Sequence, residues 1–272
     1  MILYEHPFSP FAQKVKIALR EKGLVFEARV VTGATAGDVP DPVNPLGEVP
    51  ALLDDDAVIF DATAILDYLE RKYPLPPLRP ARDADWLRTQ MIEDVCDTHY
   101  ESINWSLTEL RFFSRGTADA RNGTAALAAA RTRKMHHWLE AALQADDYLA
   151  GPQFGWADLS ALPLVLTSTI FELPPVPGSR LASWYERSCQ RQSVAATVDE
   201  VMAVLPFMTS LGANAAAPLF RRPSRLISTS QGNWPDGSGR AAGTSRKSEI
   251  SVTRTAAFLG QHVGPQTDGD NA

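Results

Sequence analysis

The sequence predicts an α/β layer followed by an all-α bundle. Three observations carry this. Short strand-like and helix-like segments alternate as far as Tyr73, a proline-rich stretch interrupts the chain at 74–80, and helical stretches replace strand signals from Asp83 to about Leu211. With 272 residues the chain is long enough for two domains, at roughly 100–200 residues per domain. Its 26 lysines and arginines against 32 acidic residues leave a formal charge of −6. An acidic chain gains little from phosphate backbones, so neither nucleic acid nor an anionic membrane is an expected partner. Cys96 and Cys189 stand far apart, in no metal or redox spacing, which excludes a disulfide framework, a cysteine-rich zinc site and a vicinal dithiol. The N-terminus lacks a basic region followed by an apolar run, and no apolar run reaches the roughly 20 residues of a membrane span. The expected compartment is the cytoplasm.

Met1–Tyr4 reads as a short buried strand. Phe11–Lys22 places Val15, Ile17, Ala18 and Leu19 among basic residues and is followed by Gly23, the pattern of an amphipathic helix with a glycine stop. Leu24–Val31 alternates well enough for a second strand. Val49–Leu53 and Ala57–Phe60 flank three aspartates, as in an antiparallel hairpin, and Asp61 then suits the N-cap of a helix over Ala62–Lys72. The order gives a parallel βαβ unit followed by a hairpin and helix, a four-stranded layer over residues 1–75. Residues 76–82 form a linker, because the prolines suit neither helix nor strand pairing. In the helical part, 83–211, the clearest helices are Asp83–Phe113, Ala118–Leu143, Trp156–Thr169 and Leu181–Arg191. Residues 212–272 are rich in Gly, Ser, Thr, Pro and Ala, show no sustained period, and read as a disordered or weakly ordered tail.

Three segments together resemble the cytosolic glutathione transferases, over roughly Met1–Leu211. They are Ser9-Pro10-Phe11-Ala12-Gln13-Lys14-Val15, then Asn44–Leu52 followed by Phe60–Leu69, and Phe154-Gly155-Trp156-Ala157-Asp158-Leu159-Ser160 near Gln192-Ser193-Val194. The resemblance implies an N-terminal thioredoxin-like domain followed by an all-helical C-terminal bundle. It further implies a cytoplasmic homodimer that takes glutathione as co-substrate together with a small hydrophobic electrophile.

Residue chemistry sits beside that resemblance. Ser9 stands where the first strand hands over to the first helix, with Pro10 in the first turn. A hydroxyl there is either an ordinary N-cap or a donor to an anion, aided by the helix dipole. In the family this position carries the group that contacts the glutathione sulfur, and serine is similar to the serine-type, bacterial-like classes. Val49-Pro50 opens a strand, where a proline cannot donate to the ladder. The resemblance implies a cis peptide there, with the Val49 N–H and C=O pairing with the tripeptide backbone. Asp61 is either an N-cap or the acidic partner of the tripeptide's α-amino group.

The sequence also departs from the family pattern. Ala62 replaces the usual Ser or Thr whose hydroxyl holds the γ-glutamyl carboxylate, which leaves only its N–H as a donor and implies weaker glutathione binding. No Lys or Arg occurs in Thr32–Phe60, where serine-type relatives often hold the glycyl carboxylate. Glu48 stands where some have Lys; Lys14 or a residue of the helical part is the remaining source of positive charge. Gly155 to Asp158 resembles the family's N-capping box, with glycine for the usual Thr or Ser.

The face of the first long helix that carries Asp94, Asp97, Thr98 and Tyr100 is placed by analogy to line the pocket of the second substrate. An amphipathic core helix with a solvated acidic face fits the same residues. His136 and His137 lack partner ligands at metal spacing and read as packing residues. Two functions stay open. One is an enzyme that activates the glutathione thiol for attack on an electrophile, with related reductive, isomerising or ether-cleaving chemistry. The other is a non-catalytic module that uses the fold for interaction or ligand carriage.

Overall fold

A computed structural model describes residues 1–31, 43–113, 116–144 and 146–213. The layer contains β1 (Ile2–Glu5), α1 (Pro10–Glu21), β2 (Glu27–Val30), β3 (Ala51–Asp54), β4 (Ala57–Phe60) and α2 (Ala62–Lys72). The strands form one sheet in the order β2-β1-β3-β4. β1 pairs parallel with β2 and antiparallel with β3, and β4 returns antiparallel along β3. This is the thioredoxin-like arrangement. Leu3 and Leu52, directly opposed, are fully buried together with Leu19, Ile65 and Leu69 of the helices. Each such side chain contributes about 2 kcal/mol by leaving water. α1 stops as the sequence predicts: the Gly23 N–H donates to Arg20 O and the Leu24 N–H to Leu19 O, the paired bonds of a Schellman end.

The helical part contains α3 (Asp83–Val95), α4 (Glu101–Phe112), α5 (Ala118–Ala142), α6 (Trp156–Ile170), α7 (Arg180–Cys189) and α8 (Gln192–Ala213). One π-helical turn, Cys96–Tyr100, joins α3 to α4. The sequence reading of an unbroken helix over Asp83–Phe113 is corrected here, because 3.6-residue periodicity does not reveal a single inserted residue. α8 was not singled out by the sequence. It runs two residues into the segment read as a tail, and the rest of 212–272 lies outside the described residues.

α6 is buried along its whole length and packs against both α1 and α3. Its start explains the glycine in the capping box. The Gly155 N–H donates to Asp158 Oδ2 at 2.9 Å, and the Trp156 N–H donates to the Leu78 carbonyl at 2.8 Å. A Cβ on Gly155 would lie 2.6 Å from that carbonyl oxygen, so the approach of the 76–82 segment requires glycine. Asp158 also accepts from the Leu149 N–H and the Trp184 indole. Burial nevertheless pushes its carboxyl up to about 6.

A polar seam holds the layer to the helices. Lys14, 1% exposed, reaches Glu93 at 2.5 Å and Asp97 at 2.9 Å, and the Thr63 hydroxyl donates to the same Glu93 oxygen. Lys16 bridges Glu5 of β1 to Glu200 of α8, whereas Lys22 pairs with Glu70 of α2 inside the layer. The basic residues on the predicted amphipathic helix are therefore buried ion-pair partners and not its solvent face.

Candidate functional site

The turn between β1 and α1 fixes Ser9. Its N–H donates to His6 O at 2.8 Å, while the Phe8 N–H donates to His6 Nδ1 at 3.2 Å. Burial, with Lys16 nearby, pushes the His6 imidazole down to about 4, so the ring is neutral at pH 7. Because Nδ1 accepts, the proton sits on Nε2. The Gln13 side-chain amide ties down Pro7 O at 2.9 Å. Ser9 is the N-cap of α1: its hydroxyl oxygen accepts from the Ala12 N–H at 3.3 Å. A hydroxyl has two lone pairs and one proton, so capping leaves the O–H available to donate.

A second turn presents Val49. Asn44, nearly fully buried, accepts the Leu46 N–H on its Oδ1 and donates Nδ2 to the Glu48 carbonyl at 2.8 Å. The Gly47 N–H closes the turn on Asn44 O, with a φ of +68° that favours glycine. The Val49–Pro50 peptide that follows is cis.

These two turns form one side of a cavity of about 510 Å³ between the layer and the helices. Ser9 and Val49 are in its wall, with His6, Phe8, Phe11 and Glu48 around them. The opposite wall is the face of α4 bearing Glu101, Asn104, Trp105 and Thr108, completed by Thr167, Phe207 and Met208 of α6 and α8. The four α4 residues follow an i, i+3, i+4, i+7 spacing. The helix face expected from the sequence, which runs on to Trp105, overlaps this wall at Trp105, but its polar residues Asp94, Asp97, Thr98 and Tyr100 do not line the cavity. Asp97 pairs with Lys14, the Thr98 hydroxyl bonds back to Asp94 O, and buried Tyr100 bonds to His136 and Ser168. The π turn shifts the helix register between α3 and α4, and only then does a face open on the cavity. Trp105, a large aromatic, stays 54% exposed on this wall.

The remaining predicted residues stand apart from the cavity wall. Pro50, Asp61 and Ala62 do not line it. Asp61 caps α2, accepting the Thr63 and Ala64 N–H groups at 3.0 and 3.1 Å, in a left-handed conformation with φ +72°. Ala62 is buried at the first helical position. Lys14, considered as a holder of the glycyl carboxylate, is committed to Glu93 and Asp97. Among the described residues the cavity wall contains no lysine or arginine.

Comparison with known proteins fits this geometry. The glutathione S-transferase N-terminal domain family model matches residues 3–77. Glutathione S-transferase 3 of Zea mays is 32% identical over 215 residues, covering 72% of this chain and 92% of the maize protein. Glutathione S-transferase Z2 of Arabidopsis thaliana is 38% identical over 112 residues, which span 40% of this chain and only 43% of that protein. A crystal structure of a glutathione S-transferase from Rhodospirillum rubrum F11 superposes with a TM-score of 0.64 at 27% identity, covering 72% of this chain and 90% of that one. No helix among the described residues is long and apolar enough to cross a membrane. With the maize enzyme matched over nearly its whole length, the chain belongs to the glutathione S-transferase family.

Proposed function

We propose that the protein activates the thiol of glutathione at Ser9 and directs the thiolate at a small electrophile held in the cavity between the layer and the helices. The observation that supports this most is the shared cavity. Ser9 and Val49 form one wall of it and the α4 face forms the other, so a thiol beside Ser9 faces a space large enough for a second substrate.

Magnitudes favour the assignment. A thiol with a pKa near 8.5 is only a few per cent ionised at pH 7, and lowering it two units costs about 2.7 kcal/mol of differential stabilisation. A hydrogen bond to a charged group supplies about 1.5–3 kcal/mol, and a helix N-terminus about 0.3–1 kcal/mol more. One hydroxyl on the N-terminus of α1 therefore suffices. In this reading the Val49 backbone pairs with the cysteinyl unit after the cis bond to Pro50. Asp61 takes the α-amino group, and the Ala62 N–H takes the γ-glutamyl carboxylate. The thiol proton leaves to solvent, the thiolate sulfur bonds to the electrophilic carbon, and a leaving group or a π-electron pair departs. The protein acts as a cytoplasmic homodimer.

A second reading, a non-catalytic module that uses the fold for interaction or ligand carriage, draws on Ala62 and on the commitment of Lys14 to Glu93 and Asp97. Calorimetric titration with glutathione, combined with turnover of 1-chloro-2,4-dinitrobenzene, separates the two. The enzyme reading expects both binding and turnover. Absence of turnover, with or without glutathione binding, selects the module.

A further inference from the structure

The turn that fixes Ser9 also fixes a second side chain on the same cavity wall. His6 precedes Pro7, which favours an extended backbone, and its carbonyl accepts the Ser9 N–H at 2.8 Å. The buried Gln13 amide holds Pro7 O at 2.9 Å, so His6 and Ser9 share one braced turn. Only one edge of the His6 imidazole is occupied. Nδ1 accepts the Phe8 N–H at 3.2 Å, which leaves the ring proton on Nε2. Nε2 has no hydrogen-bond partner among the described residues, and it is not enclosed as Glu101 Oε2 and Asn104 Oδ1 are. The ring is half-buried and lines the cavity beside Ser9. Burial, and after it the nearby Lys16, keeps it uncharged at pH 7, so the cavity holds a neutral N–H donor in the turn that carries the Ser9 hydroxyl.

The other polar protons of the cavity are mostly spent. The Thr108 and Thr167 hydroxyls donate to Asn104 O and Pro163 O, and Asn104 Nδ2 donates to Leu164 O. Glu101 and Trp105 stand on the opposite wall, on α4. We infer that His6 Nε2–H binds the carbonyl oxygen of a conjugated carbonyl electrophile and stabilises the enolate that forms when the thiolate adds to it. The inference rests on thiol activation at Ser9 and goes beyond it by naming the electrophile and a second catalytic residue. One neutral N–H matches one carbonyl oxygen, and Phe8, Phe11, Trp105, Phe113 and Phe207 suit a flat apolar body. The thiolate sulfur bonds to the β-carbon, and the C=C electron pair shifts toward the carbonyl oxygen. The α-carbon then takes from water the equivalent of the proton that the thiol released. His6 keeps its own proton and bonds the oxygen on which charge grows. Displacement on a chlorodinitroarene spreads its charge over two nitro groups, so a single donor contributes less there.

The test compares glutathione addition to trans-4-phenyl-3-buten-2-one with displacement on 1-chloro-2,4-dinitrobenzene, using the full-length protein. His6→Asn keeps an acceptor for the Phe8 N–H and removes the donor. His6→Gln keeps a donor near the position of Nε2. His6→Asn should lower the enone-to-arene ratio of kcat/KM by about a hundredfold, the effect of deleting one oxyanion donor, and His6→Gln should keep most of the ratio. A ratio unchanged in His6→Asn, or lowered equally by both variants, overturns the inference and leaves thiol activation in place. A second arm measures binding of the unreactive 4-phenyl-2-butanone and of butylbenzene by tryptophan fluorescence without glutathione. His6→Asn should weaken the ketone about fivefold relative to butylbenzene, the loss of one neutral hydrogen bond, and His6→Gln should not. If the wild type turns over neither substrate, the proposed enzyme activity falls and the ketone arm decides alone. The fivefold loss then upholds the His6 donor, and unchanged ketone binding overturns it.

Discussion

The seam along α1 and the cavity wall along α4 both bury charged or polar side chains, and they treat them oppositely. On the seam Lys14 and Lys16 each meet two carboxylates within 3 Å, from as far along the chain as Glu200. On α4, Glu101 Oε2 and Asn104 Oδ1 are buried without a hydrogen-bond partner. Burying a charge without a partner costs several kcal/mol, so the paired seam is architecture, fixing how the layer sits on the helices. The two α4 oxygens belong to residues that line the cavity but are themselves closed off from its open space. The difference teaches that burial alone does not make a polar group part of the architecture; its partners do.

That contrast is most open to challenge at Lys14. Lys14→Met leaves Glu93 and Asp97 facing each other without a cation, and should destabilise the fold by about 3–5 kcal/mol in urea unfolding. An unchanged midpoint would place the weight of the seam on apolar packing alone. Gly155→Ser restores the residue type usual in the family but sets a Cβ against the Leu78 carbonyl. The expected loss is about 1–3 kcal/mol by the same measurement, the range for forced overpacking. A neutral result would mean that the 76–82 segment shifts freely against α6.

On the ligand side the effects are smaller. Ala62→Ser adds a donor to a carboxylate at a helix start and should tighten glutathione binding by about 1 kcal/mol in calorimetry. Weaker or equal binding would show that position 62 does not face the tripeptide. Glu101→Gln should act through pH alone. The unfolded carboxyl ionises near 4.5 while the folded one keeps its proton to about 8, so wild-type stability falls as pH rises between those values. The variant lacks this loss, and its melting temperature should pull ahead of wild type between pH 5 and pH 9. A gap independent of pH would mean that Glu101 ionises normally.

The legible parts of the fold were those governed by local rules. The Gly23 stop, the Asp54–Ala57 hairpin and the Asp61 cap each follow from residue type at a few positions, and the structure has all three. Ser9 and Val49 were singled out by the resemblance of their motifs to the glutathione transferases, and both line the cavity. The α4 wall was not legible. Its exposure depends on the extra residue in the π turn Cys96–Tyr100, which leaves no mark on hydrophobic periodicity. The roles of Lys14 and Lys16 were hidden for a different reason: their partners lie about 80 and 184 residues away in sequence, and charge alone reads as solvent-facing.

Thiolate absorbance at 240 nm, titrated with pH for glutathione bound to wild type and to Ser9→Ala, tests the central assignment most directly. The account predicts a bound-thiol pKa at least one unit below that of free glutathione in the wild type. It predicts a return towards the free value in the variant, with turnover reduced at least tenfold and little change in melting temperature. A bound pKa that is equally low in both proteins would contradict it, and would assign thiol activation to a group other than the Ser9 hydroxyl.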